Sequence, residues 1–211
     1  MQKLNQGPIL CASDGSVRAP FATFGYVVTD CHGRSVIEGH GPAPGSEPTS
    51  LRSEAYGNLA TFRMLLRISQ YTAIPLTSPI KQVVDNQALI RRITQAQQFM
   101  HENPSQCLKP EWDVINEIAL SMAQLKVKIT IKWVKGHQDE RAEYENLPLK
   151  AQRNCDADAL AGTFYKHMPH PMIMEAPLAS NPVQFFMGNA SITRRYRDHI
   201  RTAATLQPLQ Q

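Results

Sequence analysis

The sequence predicts an α/β layered domain, a mixed five-stranded sheet covered by helices. Three observations predict it. The first 40 residues read as strands broken by turn residues. From Thr49 the apolar period lengthens from two to between three and four. Strand-like and helix-like stretches then alternate as far as about residue 165.

Taken in order, "GPILCASDGS" is a short apolar run that closes on Asp14-Gly15-Ser16, a turn signal. "FATFGYVVTD" is aromatic and β-branched, and "CHG" connects it tightly to "RSVIEGHG", so the three make an antiparallel meander. Pro42 to Pro48 is a loop by composition. Leu51, Ala55, Leu59, Phe62 and Leu66 then mark an amphipathic helix, with Thr49 or Ser50 as its N-cap. "PIKQVVD" is a short buried-type strand ending at Asp85, and a helix follows through "NQALIRRITQAQQF". "NPSQCLKP" breaks the chain before a third helix, "EWDVINEIALSMAQL". In "KVKITIKWV", Lys126, Lys128, Thr130 and Lys132 alternate with Val127, Ile129, Ile131 and Trp133, which gives a strand with one wet face. A polar loop from Gly136 to about Leu149 leads into a helix containing "NCDADALAGTFY".

With 211 residues, one domain with an appendage is expected. Residues 1–165 form the domain. Residues 166–188 are Pro- and Met-rich and read as an extended linker, and "SITRRYRDHIRTAATL" reads as a short basic helix with Ile192, Tyr196, Ile200 and Ala203 on one side. The body carries 17 Lys/Arg against 16 Asp/Glu and the tail 5 against 2, so the net charges are +1 and +3. A nucleic-acid partner is compatible with that split. The sequence has no run of about 18 apolar residues, and "MQKLNQGPIL" lacks an apolar signal-peptide centre. An intracellular protein of nucleus or cytoplasm, without a membrane partner, is expected. Cys11, Cys31, Cys107 and Cys155 lie far apart, which suits isolated thiols better than disulfides or a zinc site.

Three acids fall where elements begin or end. Asp14 closes the first strand, Asp85 closes the fourth, and Glu54 stands at the edge of the first helix's buried stripe. A fourth comes from the last helix, where Asn154 and Asp158 are one turn apart. Singly, each has a plainer reading as a turn, a cap or a solvated helix start, and His137 alone reads as a surface loop histidine. Jointly, four carboxylates in one place repel each other unless cations neutralise them. Oxygen ligands of this kind select Mg²⁺ or Mn²⁺, and two ions about 3.5–4 Å apart suit in-line displacement at a phosphodiester.

The same residues carry a resemblance to the ribonuclease H family. "SDGS", "FATFGYVV", "TSLRSEAYGNLATF", "VVDNQALI", "EWDVINEI", "WVKGH" and "NCDADALAG" occur in that family's order across about residues 8–165. "WVKGH" ahead of the "N…D.LA" helix is the most specific pair. The resemblance implies a ribonuclease H-like sheet, an antiparallel three-strand meander followed by two parallel strands. It implies an endonuclease that hydrolyses the RNA strand of RNA/DNA hybrids by a two-metal mechanism, with two Mg²⁺ for which Mn²⁺ can substitute. Asp14, Glu54, Asp85 and Asp158 become the metal-binding acids, and His137 matches a mobile histidine that handles a proton or product release. Asp158 is preferred to Asp156 because the family's last acid stands four residues after the Asn and two before Leu-Ala. Gly15, Ser16, Thr49, Asn86 and Asn154 become nucleic-acid contacts, Thr49 at a position that binds a phosphate of the DNA strand.

Departures are visible too. Twenty residues separate His137 from Asp158, including Asp139, Glu140, Glu143 and Glu145, which either rim the site or loosen the histidine loop. Where some relatives hold the hybrid with a basic, aromatic protrusion, this chain has "FMHENPSQCLKPEW", with one Lys. Weak hybrid affinity follows, as in retroviral-type domains that depend on an attached polymerase. The chain looks similar to retroelement-encoded domains, which makes a reverse transcriptase, attached or separate, an expected partner. Two other readings are a non-catalytic module scaffolding such a polymerase and an integrase- or transposase-like enzyme cutting DNA. The intact acids argue against the first and "WVKGH" against the second. In the tail, Arg194, Arg195, Arg197 and Arg201 either bind nucleic acid or form the solvated face of a helix docked by Ile192, Tyr196 and Ile200. "HMPH" (167–170) is a poor metal site.

Overall fold

Strand-forming residues alternate over both faces of a sheet whose centre is the first strand, β1 (Ile9–Arg18). The computed structural model describes residues 1–45, 47–99, 108–167, 178, 185–188 and 190–206. β2 (Phe21–Thr29) and β3 (Ser35–Pro42) complete the antiparallel meander, with Asp14 opposite Gly25 and Gly25 opposite His40. β4 (Ile80–Val84) runs parallel to β1, and β5 (Ile129–Trp133) parallel to β4. The order β3-β2-β1-β4-β5 is the mixed five-stranded sheet the sequence predicts.

Helices cover both faces. α1 (Ser50–Thr72), α2 (Gln87–Phe99) and α3 (Trp112–Leu125) precede β5, and α4 (Leu149–His167) follows it. Neighbouring strand residues face opposite layers. Cys11 and Val84 join Leu59, Phe62 and Leu65 of α1 in the larger core, while Ala12 and Val83 join Ala151, Cys155 and Ala157 of α4 in the smaller one. α1 packs on β1, β2 and α3 together. It therefore buries almost its whole first half, and Leu65 rather than the expected Leu66 is fully enclosed.

Two local expectations are corrected. Asp14-Gly15-Ser16 is no turn, because β1 continues to Arg18 in register with β2 down to Phe21. Gly15 is there for another reason: a Cβ would overlap Ser53 and the backbone of Glu54, so its absence lets α1 approach the strand. Trp133, expected on the dry face of β5, is 50% exposed, since β5 is an edge strand and the indole sits at its outer end.

In the tail, β6 (Phe185–Met187) and β7 (Ala190–Ile192) form a hairpin turned at Gly188, whose φ is +60°. α5 (Tyr196–Leu206) follows. The helix expected from Ser191 thus starts at Tyr196, and Ile192 belongs to a strand. Of the expected docking residues Tyr196 is buried, but Ile200 is 59% exposed. Most of the expected linker, the segment "HENPSQC" and nearly all of "HMPH" lie outside the described residues. Leu178, within the linker, packs in the larger core. Cys11, Cys31 and Cys155 are free thiols.

α4 crosses β2 at Gly25, where an added Cβ would overlap the Ala157 carbonyl and lie 2.6 Å from the Ala161 nitrogen. Backbone cannot yield as a side chain does, and overpacking costs about 1–3 kcal/mol. Gly25→Ala is expected to lower Tm by roughly 3–10 °C in a circular-dichroism melt. Gly162→Ala, with no atom within 4 Å, is the control and is expected to leave Tm unchanged or slightly raised.

Candidate active site

Three elements deliver carboxylates to one end of the sheet. Asp14 lies within β1, Asp85 directly follows β4, and Glu54 comes from the second turn of α1. One oxygen from each lies within 4.8 Å of the others. Asp14 and Glu54 are buried and Asp85 is half-buried. Asp158, on α4, is not part of this trio. Its side chain is 39% exposed, and its Oδ2 is 3.5 Å from Nδ1 of His137. The structure therefore gathers three of the four predicted acids and sets the fourth at the rim with the histidine.

Each acid is held by its neighbours. The Gly15 amide donates to Asp14 Oδ1 at 2.7 Å, and the buried Asn154 amide approaches Asp14 Oδ2 at 3.4 Å. Ser50 Oγ and Asn86 Nδ2 both donate to Glu54 Oε1 at 3.0 Å. Asn86 also accepts from the Leu89 amide, capping α2. The Trp133 indole donates to the Asp85 carbonyl at 2.9 Å. A Cβ on Gly136 would overlap the Asp85 carboxylate, so a larger residue where the chain leaves β5 would displace that carboxylate. His137 follows with φ +50°, a left-handed backbone that turns it out of the strand.

The predicted nucleic-acid contacts are thus largely part of the frame. Asn154, Asn86 and Gly15 support acids. The Ser16 carbonyl accepts from the Tyr165 hydroxyl at 2.8 Å. Thr49 caps α1, accepting from the Arg52 amide and donating to Glu111. Asp156, the alternative to Asp158, is engaged elsewhere: it accepts from the Tyr144 hydroxyl and pairs with Arg153.

Sequence reading missed several supports. Arg52 is buried and pinned by Glu111 at 2.8 Å and Asp113 at 2.9 Å, which locks the first turn of α1 to the start of α3. The signals were an Arg beside Glu54 in "RSEA" and the acid pair in "EWD", neither legible without the packing. Ser50 reads in the sequence only as an N-cap candidate and Trp133 only as part of "WVKGH", so their donor roles need the packing, whereas Gly136 after a strand is a visible signal.

Crowding leaves its mark on protonation. Burial, then the charges of Asp85 and Glu54, push Asp14 up to about 9 against the opposing Gly15 amide. Burial and Asp85 raise Glu54 as well, opposed by Asn86 and Ser50. Asp158 is raised by burial and by Asp139, Asp85 and Glu140, and lowered by His137. The loop acids Asp139 and Glu140 therefore bear on the rim of the site. Glu54 Oε2 and Asp85 Oδ1 are buried with no hydrogen-bond donor among the described residues. Buried carboxylate oxygens without donors, beside a third acid, fit a hard divalent cation.

No family model and no curated protein sequence matches the chain. Solved structures do. The N-terminal RNase H domain of a Mycobacterium tuberculosis protein, solved as a maltose-binding-protein fusion, superposes with a TM-score of 0.50 at 13% identity, over 77% of this chain and 99% of that one. The prototype foamy virus protease-reverse transcriptase superposes with a TM-score of 0.54 at 18% identity, over 75% of this chain. This chain has the ribonuclease H fold. It spans 21% of the foamy virus protein's length. In the ribonuclease H fold found here, Asp14 lies inside the central strand beside the C-terminal end of β4, where Asp85 follows and Glu54 of the first helix meets them.

A group whose folded pKa lies above its unfolded value binds more protons when folded, so stability falls as pH rises between the two values. For Asp14 that window runs from the ordinary carboxylate range to about 9. Without metal, Tm is expected to fall from pH 5 to pH 9. Mn²⁺ is expected to raise Tm more at pH 8 than at pH 5, by an amount equivalent to about 2.7 kcal/mol at a hundredfold excess over Kd. Asp85→Asn is expected to raise the metal-free Tm and to remove most of the Mn²⁺ response, both read by differential scanning calorimetry.

Proposed function

We propose that this chain is a metal-dependent endonuclease that hydrolyses the RNA strand of RNA/DNA hybrids. The observation that carries the reading is the convergence of Asp14, Glu54 and Asp85 within 4.8 Å on a ribonuclease H fold, with His137 and Asp158 paired at the rim. Asp14, Glu54 and Asp85 would hold divalent cations, two Mg²⁺ replaceable by Mn²⁺, with Asp158 contributing from the open side. Bound there, such ions supply an ionised water as nucleophile and offset charge on the leaving 3′-oxygen.

The chain's own residues do the rest. Gly15, Asn86, Ser50 and Asn154 keep the carboxylates aimed inward before substrate arrives. His137, with its side chain 60% exposed, hands a proton to the leaving oxygen. Asp158 faces the imidazole, its Oδ2 3.5 Å from Nδ1. Asp139 and Glu140 add negative charge behind Asp158 and bias that rim toward cations. Choice of RNA over DNA rests on the 2′-hydroxyl, read in the groove without base contacts.

The likeness to the foamy virus protease-reverse transcriptase supports a retroelement origin and a reverse transcriptase, fused or separate, as partner. The near-neutral body fits this partnership, since an attached polymerase can supply phosphate contacts.

The test is hydrolysis of an end-labelled RNA/DNA hybrid in Mg²⁺ or Mn²⁺. The intact chain is expected to cut the RNA strand internally. Asp85→Asn is expected to slow this by roughly 10³-fold, the several kcal/mol a metal centre supplies. His137→Ala is expected to lower kcat by about 10²-fold with little change in KM. A hybrid that is bound but left uncut in both metals would overturn the proposal.

A further inference from the structure

The tail is attached where the site begins. The Glu111 amide donates to the Thr193 carbonyl at 2.8 Å, and Arg194 pairs with Glu47 at 3.3 Å. Thr193 and Tyr196 are buried, and Tyr196 meets Phe185 edge-on at 5.2 Å, so hairpin and helix hold together. Glu47 and Glu111 flank Thr49: Glu47 stands two residues before it, and Glu111 accepts its hydroxyl. Thr49 caps α1, whose second turn carries Glu54. The joint therefore lies against the helix end that feeds the carboxylate cluster.

Beyond the joint, α5 buries little. Ile200 and residues 201–205 are exposed. Arg195, Arg197 and Arg201 are exposed as well, and none forms an ion pair among the described residues. The segment 190–206 holds four Arg and one Asp, a net of +3, beside a body of net +1 whose site is lined with acids. Packing explains Tyr196 and Arg194. It does not explain Arg195, Arg197 and Arg201, which form no ion pair among the described residues at the start of and along a largely exposed helix.

We propose that the β6–β7 hairpin and α5 form an arm that contacts the phosphate backbone of the hybrid through Arg195, Arg197 and Arg201; this rests on the hybrid-cleaving reading above. The complementarity is one of charge: a polyanion crossing a near-neutral, acid-lined face gains its cationic contacts from the arm. Arg194 anchors the arm and the other three arginines meet substrate. The arm supplies cationic groups where the sequence "FMHENPSQCLKPEW" offers a single Lys.

The experiment compares the full chain with Arg195→Gln/Arg197→Gln/Arg201→Gln and with the corresponding triple Lys variant. Hybrid binding is followed by fluorescence anisotropy in EDTA across a salt series, and hydrolysis in Mg²⁺. The Gln variant is expected to reduce the slope of log K against log salt by about 2–3. It is also expected to raise KM roughly tenfold with kcat and Tm unchanged. The Lys variant is expected to keep both slope and KM. An unchanged slope and KM in the Gln variant would overturn the arm, as would a Lys variant as impaired as the Gln one. Binding of anionic lipid vesicles lost in the Gln variant, with hybrid binding intact, would assign the arginines to a membrane surface instead. Failure of the underlying reading shows separately: an unaltered chain that binds the hybrid through these arginines but cuts nothing leaves the arm standing and removes the nuclease.

Discussion

Mutual repulsion among Asp14, Glu54 and Asp85 is the constraint on which the rest of the structure depends. Three carboxylates within 4.8 Å, two of them buried, oppose the folded state whenever they are ionised without a counter-charge. A fold that keeps them together must hold each from behind more firmly than they push apart. Glu54 Oε2 and Asp85 Oδ1 stay buried without a hydrogen-bond donor among the described residues, so the hydrogen bonds that hold these acids reach their other oxygens or come from the chain behind them.

The holding is distributed over the whole frame. β1 and β4 run parallel as neighbours, which brings Asp14 and Asp85 to the same end of the sheet. Gly15 lets α1 lie close enough for Glu54 to reach them, and Gly136 leaves room for the Asp85 carboxylate. The buried Arg52–Glu111–Asp113 cluster fixes the start of α1 to α3. Such a cluster adds little net stability after desolvation, but removing one partner would leave a buried charge unpaired, so the two helix ends are tied together.

The long segment after His137 is a rim rather than a tether. Its second half is fastened to α4, where Gln152 bonds the carbonyls of Tyr144 and Leu147, and Leu147 is buried. Its first few residues form the short turn at Gln138–Glu140, where the Gln138 side chain donates to the Lys135 carbonyl. The histidine, Asp158 and the loop acids thus share the open side of the site, and the basic tail joins the body at the start of α1.

The sequence by itself determined the element order, because apolar periods of two and of three to four are set by backbone geometry and survive without any tertiary contact. It also singled out the three acids that converge, since a charge at the edge of a buried stripe or beside a strand end needs a reason. The tertiary structure decided how those acids meet. Asp14 and Asp85 are 71 positions apart, and only the β1–β4 register sets their separation. Likewise only the approach of α1 at Gly15 shows that "SDGS" continues a strand, for a glycine needed at a turn and a glycine needed for close packing look the same in a chain of letters. The exposure of Trp133 followed from the edge position of β5, and the attachment of the tail from the Glu111–Thr193 hydrogen bond and the Arg194–Glu47 pair. Local patterns record which face a residue shows. The partner on that face is fixed by packing between segments that the chain order keeps far apart.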